Sequence, residues 1–203
     1  MPRIRTVAAV AVALALGVAG VATAAVTKVT GGSTQIRVSS AAQTLLTSNH
    51  ISTSVLAPAT QSGATITFPI ATGRLNTKNL HGTIVHKGGI QLSNGTATVT
   101  LRAPTLISSR AGASLYALVR GKTVLRCAHA GVLHRRHVVC TSVVRWRTAR
   151  VARITNVQVS GSTATGTVTI TTVTADAINR LAGKDVAAAG DVLGTATVTP
   201  TLK

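Results

Sequence analysis

Residues 127–140, CAHAGVLHRRHVVC, gather both cysteines of the chain, three of its six histidines and the adjacent pair Arg135 and Arg136. Side chains of these types could do three kinds of chemistry. Written C-x-H-x4-H-x2-H-x2-C, the set Cys127, His129, His134, His137 and Cys140 offers thiolate and imidazole ligands suited to zinc or copper. The spacing follows none of the common zinc frameworks. A thioredoxin-like redox pair wants C-x-x-C, whereas twelve residues separate these two cysteines. The third possibility is a disulfide that clamps a basic hairpin, and it requires an oxidising compartment.

The N-terminus bears on that requirement. Met1-Pro2-Arg3-Ile4-Arg5 is short and basic, an apolar run extends from Val7 to Ala22, and Ala22-Thr23-Ala24 supplies small residues where a signal peptidase would cut. Residues 1–24 therefore read as a secretory signal peptide, with an uncleaved anchor helix as the alternative, and 25–203 as one domain that is secreted or held at the cell envelope. In an exported chain with two cysteines a bridge between Cys127 and Cys140 is the expected arrangement. It leaves Ala128 to Val139 as a projecting loop.

Charge narrows the function. The chain has 21 lysines and arginines against three acids, Asp176, Asp185 and Asp191, so no carboxylate side chain precedes Asp176. Loss of Arg3 and Arg5 with the signal takes the formal charge from +18 to +16. Acid-base and glycosidase chemistry wants paired carboxylates, a Ser-His-Asp unit wants an acid to orient its histidine, and no phosphate-binding glycine loop is present. Catalysis is not expected. Ten Lys/Arg residues and no acid lie between Arg110 and Arg153, which gives a surface that attracts polyanions such as wall polymer, nucleic acid or acidic lipid. The chain has one phenylalanine, one tyrosine and one tryptophan. Single-strand readers use several stacking rings, so sequence-specific nucleic-acid recognition is not expected.

Alternating Val, Thr and Ile, broken by Gly, Asn and Ser, predict an all-β fold: a β-sandwich of antiparallel hairpins with two short helices closing its ends. A turn at Asn94-Gly95 would pair Leu92 with Ala97 and Ile90 with Val99, burying Ile90, Leu92, Val99 and Leu101 while Gln91 and Thr98 point outward. A turn at Gly121-Lys122 would pair Leu118 with Leu125 and Tyr116 with Cys127, with apolar residues on both faces. A turn at Gly161-Ser162 would pair Val159 with Ala164 and Val157 with Gly166. Ser40 to Gln43 has capping-box spacing ahead of Leu45 and Leu46. Thr174 can cap a helix over Ala175 to Ala182, stopped by Gly183. QIRVSSAAQTLL (35–46) and TITTVTADAINRL (169–181) resemble each other, and each precedes a strand ending in a proline, Pro69 or Pro200. Strand alternation sets Arg145 and Arg147 opposite the face of Trp146, and Arg126 opposite Cys127.

The segments FPIATGRLN (68–76), GTIVHKGGIQLS (82–93) and TVTLRAPTLIS (98–108), with VTADAINRLAG (173–183) and GDVLGTATVTPTLK (190–203), resemble a group of secreted actinobacterial proteins of unassigned function. That group is distantly similar to the haem-transport (HtaA-type) domain, a β-rich envelope module. The resemblance spans roughly 35–120 and 154–203 and leaves out the cysteine hairpin. It implies haem binding through an axial Tyr and a nearby His in a segment G-x-V-x-F-x-G-H. Here that stretch is Gly82 to Gly89, with His86 at the family's Phe and Gly89 at its His, and the sole tyrosine, Tyr116, lies elsewhere. His86 is thus either a weak haem candidate or a hydrogen-bonded core histidine. His129, His134 and His137 are weak metal candidates.

The leading expectation is a non-enzymatic envelope module without a cofactor. Its basic face, carried by Arg126, Arg135, Arg136, Arg145 and Arg147, would meet an anionic wall polymer or membrane surface. The alternatives are a haem- or zinc-binding carrier and a purely structural or adhesive module. No protein partner is indicated.

Overall fold

A computed structural model describes residues 26–76, 78–110, 112–132 and 135–203; over 121–145 the description covers the backbone alone. The signal segment and His134 lie outside the described residues. Among the described residues there are eleven strands and two helices: β1 (Val26–Val38), α1 (Ser40–Ser48), β2 (Ser52–Leu56), β3 (Thr60–Ser62), β4 (Thr65–Asn76), β5 (Gly82–His86), β6 (Gly89–Ser93), β7 (Thr98–Ser109), β8 (Gly112–Val132), β9 (Arg135–Ser160), β10 (Thr163–Ile170), α2 (Thr172–Ala182) and β11 (Val192–Leu202). No helix among them is long and apolar enough to cross a membrane.

All ladders are antiparallel, as expected for an all-β chain of hairpins. The strands follow one another in a single sheet, β2-β6-β7-β5-β4-β1-β11-β10-β9-β8, and β7 also pairs with β8. That last pairing joins β7 round to β8, so the two walls belong to one closed barrel rather than to two separate sheets. Closure leaves no open edge in the ring. Inward residues at period two fill it: Val29, Ile36, Ile66, Phe68, Ile84, Leu106, Ile154 and Val168 are all buried in one cluster.

Both helices pack at the same end of the barrel, over Ile51, Leu92, Ile170, Ala175, Ile178 and Leu181. They close one end, not two. The cap of α1 lies one residue ahead of the expected Ser40: Ser39 Oγ accepts from the Ala42 N–H at 3.2 Å, and the Gln43 amide donates to the Val38 carbonyl at 3.1 Å. In α2 the cap position is Thr171, while Thr174 lies in the first turn and donates to the Val151 carbonyl at 2.6 Å. That bond ties the helix to β9. Gly183 ends α2 with φ 71°, as its position predicts. The internal similarity corresponds to a repeated order, β1-α1 leading to β4 and β10-α2 leading to β11. β4 and β11 flank β1, with Pro69 opposite Ser33 and Pro200 opposite Gly32.

Three registers differ instructively from expectation. About Asn94 the loop is wider, because Asn94 Oδ1 accepts from the backbone N–H of both Thr96 and Ala97, so Leu92 pairs with Val99 and Ile90 with Leu101. The shift is by two, so the faces hold. Leu92 and Leu101 are buried, Ile90 and Val99 are half-buried against the core, and Thr98 is exposed. At Gly121 there is no turn: β8 runs on, and Leu118 pairs with Thr148 and Tyr116 with Arg150. Turning there would give up the ladder from Ala113 to Arg120 along β9, which is needed to close the barrel. At Gly161 the pair Val159 and Ala164 forms as expected, but a bulge precedes Thr167. Val157 and Val159 are 46% and 55% exposed rather than buried. They stand at the barrel end away from the helices, where Leu75, Leu80, Ile84 and Pro200 line an apolar mouth of about 70 Å³.

Candidate functional site: a buried histidine and a basic outer face

The sequence candidates fall in two places. His86 ends β5, where the ladder with β7 breaks: Val85 pairs with Thr105, and pairing resumes at Gly89 with Arg102. Pro104 occupies the break. Its carbonyl accepts from His86 Nδ1 at 2.8 Å, so that nitrogen carries the proton and Nε2 is left as an acceptor. Nε2 meets Thr34 Oγ1 at 2.7 Å, and the hydroxyl donates. Phe68 stands edge-on to the ring with centroids 6.4 Å apart. His86 and Thr34 are 2% and 3% exposed. Burial holds the imidazole below its ordinary pKa of 6.5, opposed in part by the Pro104 hydrogen bond.

The arrangement is that of a neutral ring tying β5 to β1 and β7. An iron or zinc ion at Nε2 would have to displace the Thr34 hydroxyl inside the packed barrel. No group of three or more His, Cys, Asp or Glu able to hold a metal occurs among the described residues.

The second place is the hairpin β8-β9. Beyond Arg120 and Trp146 these two strands pair only with each other, so 121–132 and 135–145 form a two-stranded arm past the barrel. At about 3.3 Å per residue, the twelve residues of the β8 side reach about 40 Å. The expected loop from Ala128 to Val139 is paired strand as far as Val132 and Arg135. Cys127 is the direct register partner of Cys140. The side chains of this arm lie outside the described residues, and with them the disulfide, His129, His137, Arg126, Arg135, Arg136 and Arg145.

At the root of the arm the side chains are defined. Thr100, Arg120 and Trp146 are ladder partners in a row across β7, β8 and β9, and so are Arg102, Leu118 and Thr148. Cross-strand partners share a face. Trp146 is 41% exposed, and the guanidinium carbons of Arg102 and Arg120 each lie 5.6 Å from its ring centroid. Such contacts contribute about 0.5–1 kcal/mol each at exposed sites, enough to hold two cations beside one ring. Arg147 pairs with the buried Val119 and is itself exposed, on the opposite face from Trp146 as alternation predicts. Tyr116 and Leu118 lie on the outer face, while Ala117 and Val119 are buried, which settles the orientation that two apolar faces left open.

No protein-family model and no curated protein matches the sequence. Solved structures do. The C-terminal domain of HtaA from Corynebacterium glutamicum superposes with a TM-score of 0.59 at 16% identity, over 88% of this chain and 100% of that domain. The chain has the HtaA-type fold. The N-terminal domain of HtaA gives 0.55 at 14% identity, over 85% of this chain and 98% of that one. The heme binding protein HtaB from the same organism gives 0.53 at 13%, over 88% and 96%. The resemblance read from the sequence is thus met at the level of fold.

Within this HtaA-type barrel, sequence reasoning named Arg147 but passed over Arg102 and Arg120. The signal that could have found them was the pairing of Arg120 with Trp146. It was hidden by the turn assumed at Gly121.

Proposed function

We propose that this protein is a non-enzymatic, extracytoplasmic binding module, and that its HtaA-type barrel presents the outer face and arm of β8-β9 to an anionic polymer of the cell envelope. The observation that carries the reading is the Arg102-Trp146-Arg120 cluster at the root of the arm. Two arginines are held on an exposed ring, in a chain whose three acids all lie in or after α2. Arginine forks take phosphate or carboxylate bidentately, and a preorganised fork loses less freedom on binding. The leader-like N-terminus supports an extracytoplasmic location.

The test is retention of the purified protein on immobilised poly(glycerol phosphate). Wild type is expected to bind and to release steeply as salt rises, because contacts to a polyelectrolyte free counterions. Arg102→Gln with Arg120→Gln should elute at distinctly lower salt. Retention that ignores salt, or no retention at all, would overturn the proposal.

Haem carriage is the second reading, supported by the likeness to HtaB. It is placed second because the sequence candidate His86 has both ring nitrogens engaged. A Soret shift on mixing with haem, lost in His86→Ala but kept in Tyr116→Phe, would reverse that ranking.

A further inference from the structure

We infer that Arg110, Arg150 and Arg153, with Tyr116, form a binding site for a phosphoryl group on the outer face of β7-β8-β9; this rests on the polyanion reading above and gives it a specific anchor point. These residues line an open basin of about 670 Å³ together with Ile107 and Asn156. Every side chain lining the basin is neutral or cationic, and none is one of the chain's three carboxylates.

A bulge creates the cluster. Residues 150 and 153 are an odd number apart and would fall on opposite faces of a regular strand. The ladder shifts between Tyr116 and Leu115, so Arg150 pairs with Tyr116 while Arg153 pairs with Ser114. Tyr116 and Ser114 are two apart on β8, and both arginines therefore come to one face. Bulges recur where a side chain must be re-aimed. This one is tied down from behind, because the Arg150 carbonyl accepts from Thr171 Oγ1 at 2.6 Å and the Val151 carbonyl accepts from Thr174 Oγ1 at 2.6 Å. Arg110, just past the end of β7, closes the third side.

Three guanidinium groups exceed what one planar carboxylate can use, since a single fork satisfies it. They match a tetrahedral group with several accepting oxygens, to which the Tyr116 hydroxyl adds a donor. Ile107 and Val157, 42% and 46% exposed, border the basin and suit the carbon skeleton that carries the phosphoryl group.

The whole protein would be titrated with poly(glycerol phosphate), with phosphatidylglycerol vesicles and with inorganic phosphate, comparing wild type with Arg110→Gln/Arg150→Gln/Arg153→Gln. Lys28→Gln/Arg74→Gln/Lys203→Gln removes the same charge from β1, β4 and the C-terminus. The basin variant is expected to lose at least tenfold in affinity and the control variant less than threefold. Arg150→Lys/Arg153→Lys, which keeps the charge but loses the forks, should lose most of the same affinity. Whichever of polymer or vesicle binds tighter identifies the source of the phosphoryl group. Equal losses in the basin and control variants, or full rescue by lysine, would overturn the site while leaving the polyanion reading intact. If wild type binds none of the probes, that reading fails as well.

Discussion

The interior around His86 and the outer face around Trp146 solve opposite problems with the same ladder. Inside, a titratable ring is surrounded by protein, and each of its nitrogens has a partner within 2.8 Å. Outside, Arg102 and Arg120 have an aromatic ring beside them and water beyond. The interior is complete in itself, because a buried polar group without a partner is costly. The outer face leaves its cationic charge in solvent, where exposed charge is inexpensive and where, on the reading proposed above, a polyanion would meet it. Stability and binding should therefore respond to different substitutions.

The largest effect belongs to the interior. Phe68→Ala removes a ring that is 4% exposed and packed beside His86, and should cost about 3–5 kcal/mol in urea unfolding. Its retention on an anionic matrix at a temperature where it remains folded should match wild type. A loss of retention by the folded variant would break the separation between core and face.

His86→Gln comes next. The glutamine cannot reach both Thr34 and Pro104 as the ring does, and each buried group left unpaired costs about 1–3 kcal/mol. The variant also sharpens the comparison through pH. The ring's pKa is lowered in the folded state, chiefly by desolvation, so below pH 6.5 the unfolded chain takes up the proton more readily than the folded one. The contribution of His86 is then fully present above pH 6.5 and lost as pH falls towards the folded value, at no more than about 1.4 kcal/mol per pH unit. Subtracting the pH-stability curve of His86→Gln from that of wild type should show this decline. A flat difference would mean that the ring is hydrated in the folded protein.

These two regions were unequally legible in the sequence. Strand periodicity placed Leu92 and Leu101 inward even with the wrong loop at Asn94, since a slip of two residues conserves the faces. A hydrogen-bonded His86 was among the readings. Its partners were not, because Thr34 is 52 residues away and the Pro104 carbonyl is free only where the β5-β7 ladder breaks. Closure of the barrel depends on β1 meeting β11, where Gln35 pairs with Thr197, a long-range pairing that periodicity cannot report. On the outer face, Gly121 looked like a turn and hid the cross-strand row of Arg120 and Trp146. The bulge that unites Arg150 and Arg153 is likewise a property of two strands together. Local pattern fixes which side of a strand is wet; it does not fix which wet residues become neighbours.

The smallest effect on global stability should come from the arm, although its chemistry opened the question. Cys127 opposite Cys140 is the arrangement a cross-strand bridge needs, and in the chain-entropy model closing so short a loop is worth about 3 kcal/mol. That figure applies to whatever unit the bridge constrains. Segments 121–132 and 135–145 pair only with each other, so the constrained unit is the arm, and the barrel can unfold with the arm either closed or open. Cys127→Ser with Cys140→Ser should leave the urea midpoint of the barrel within about 10% of the wild-type value, because the strand segments that carry them make no ladder with the barrel strands. Amide exchange between 121 and 145 should accelerate by one to two orders of magnitude, as local opening loses about 1.4–2.8 kcal/mol of protection. A fall in the barrel midpoint as large as that of Phe68→Ala would show that the arm folds as part of the core. Unchanged exchange in the arm, with two free thiols titrated in wild type, would remove the bridge and leave thiolate chemistry open at Cys127 and Cys140.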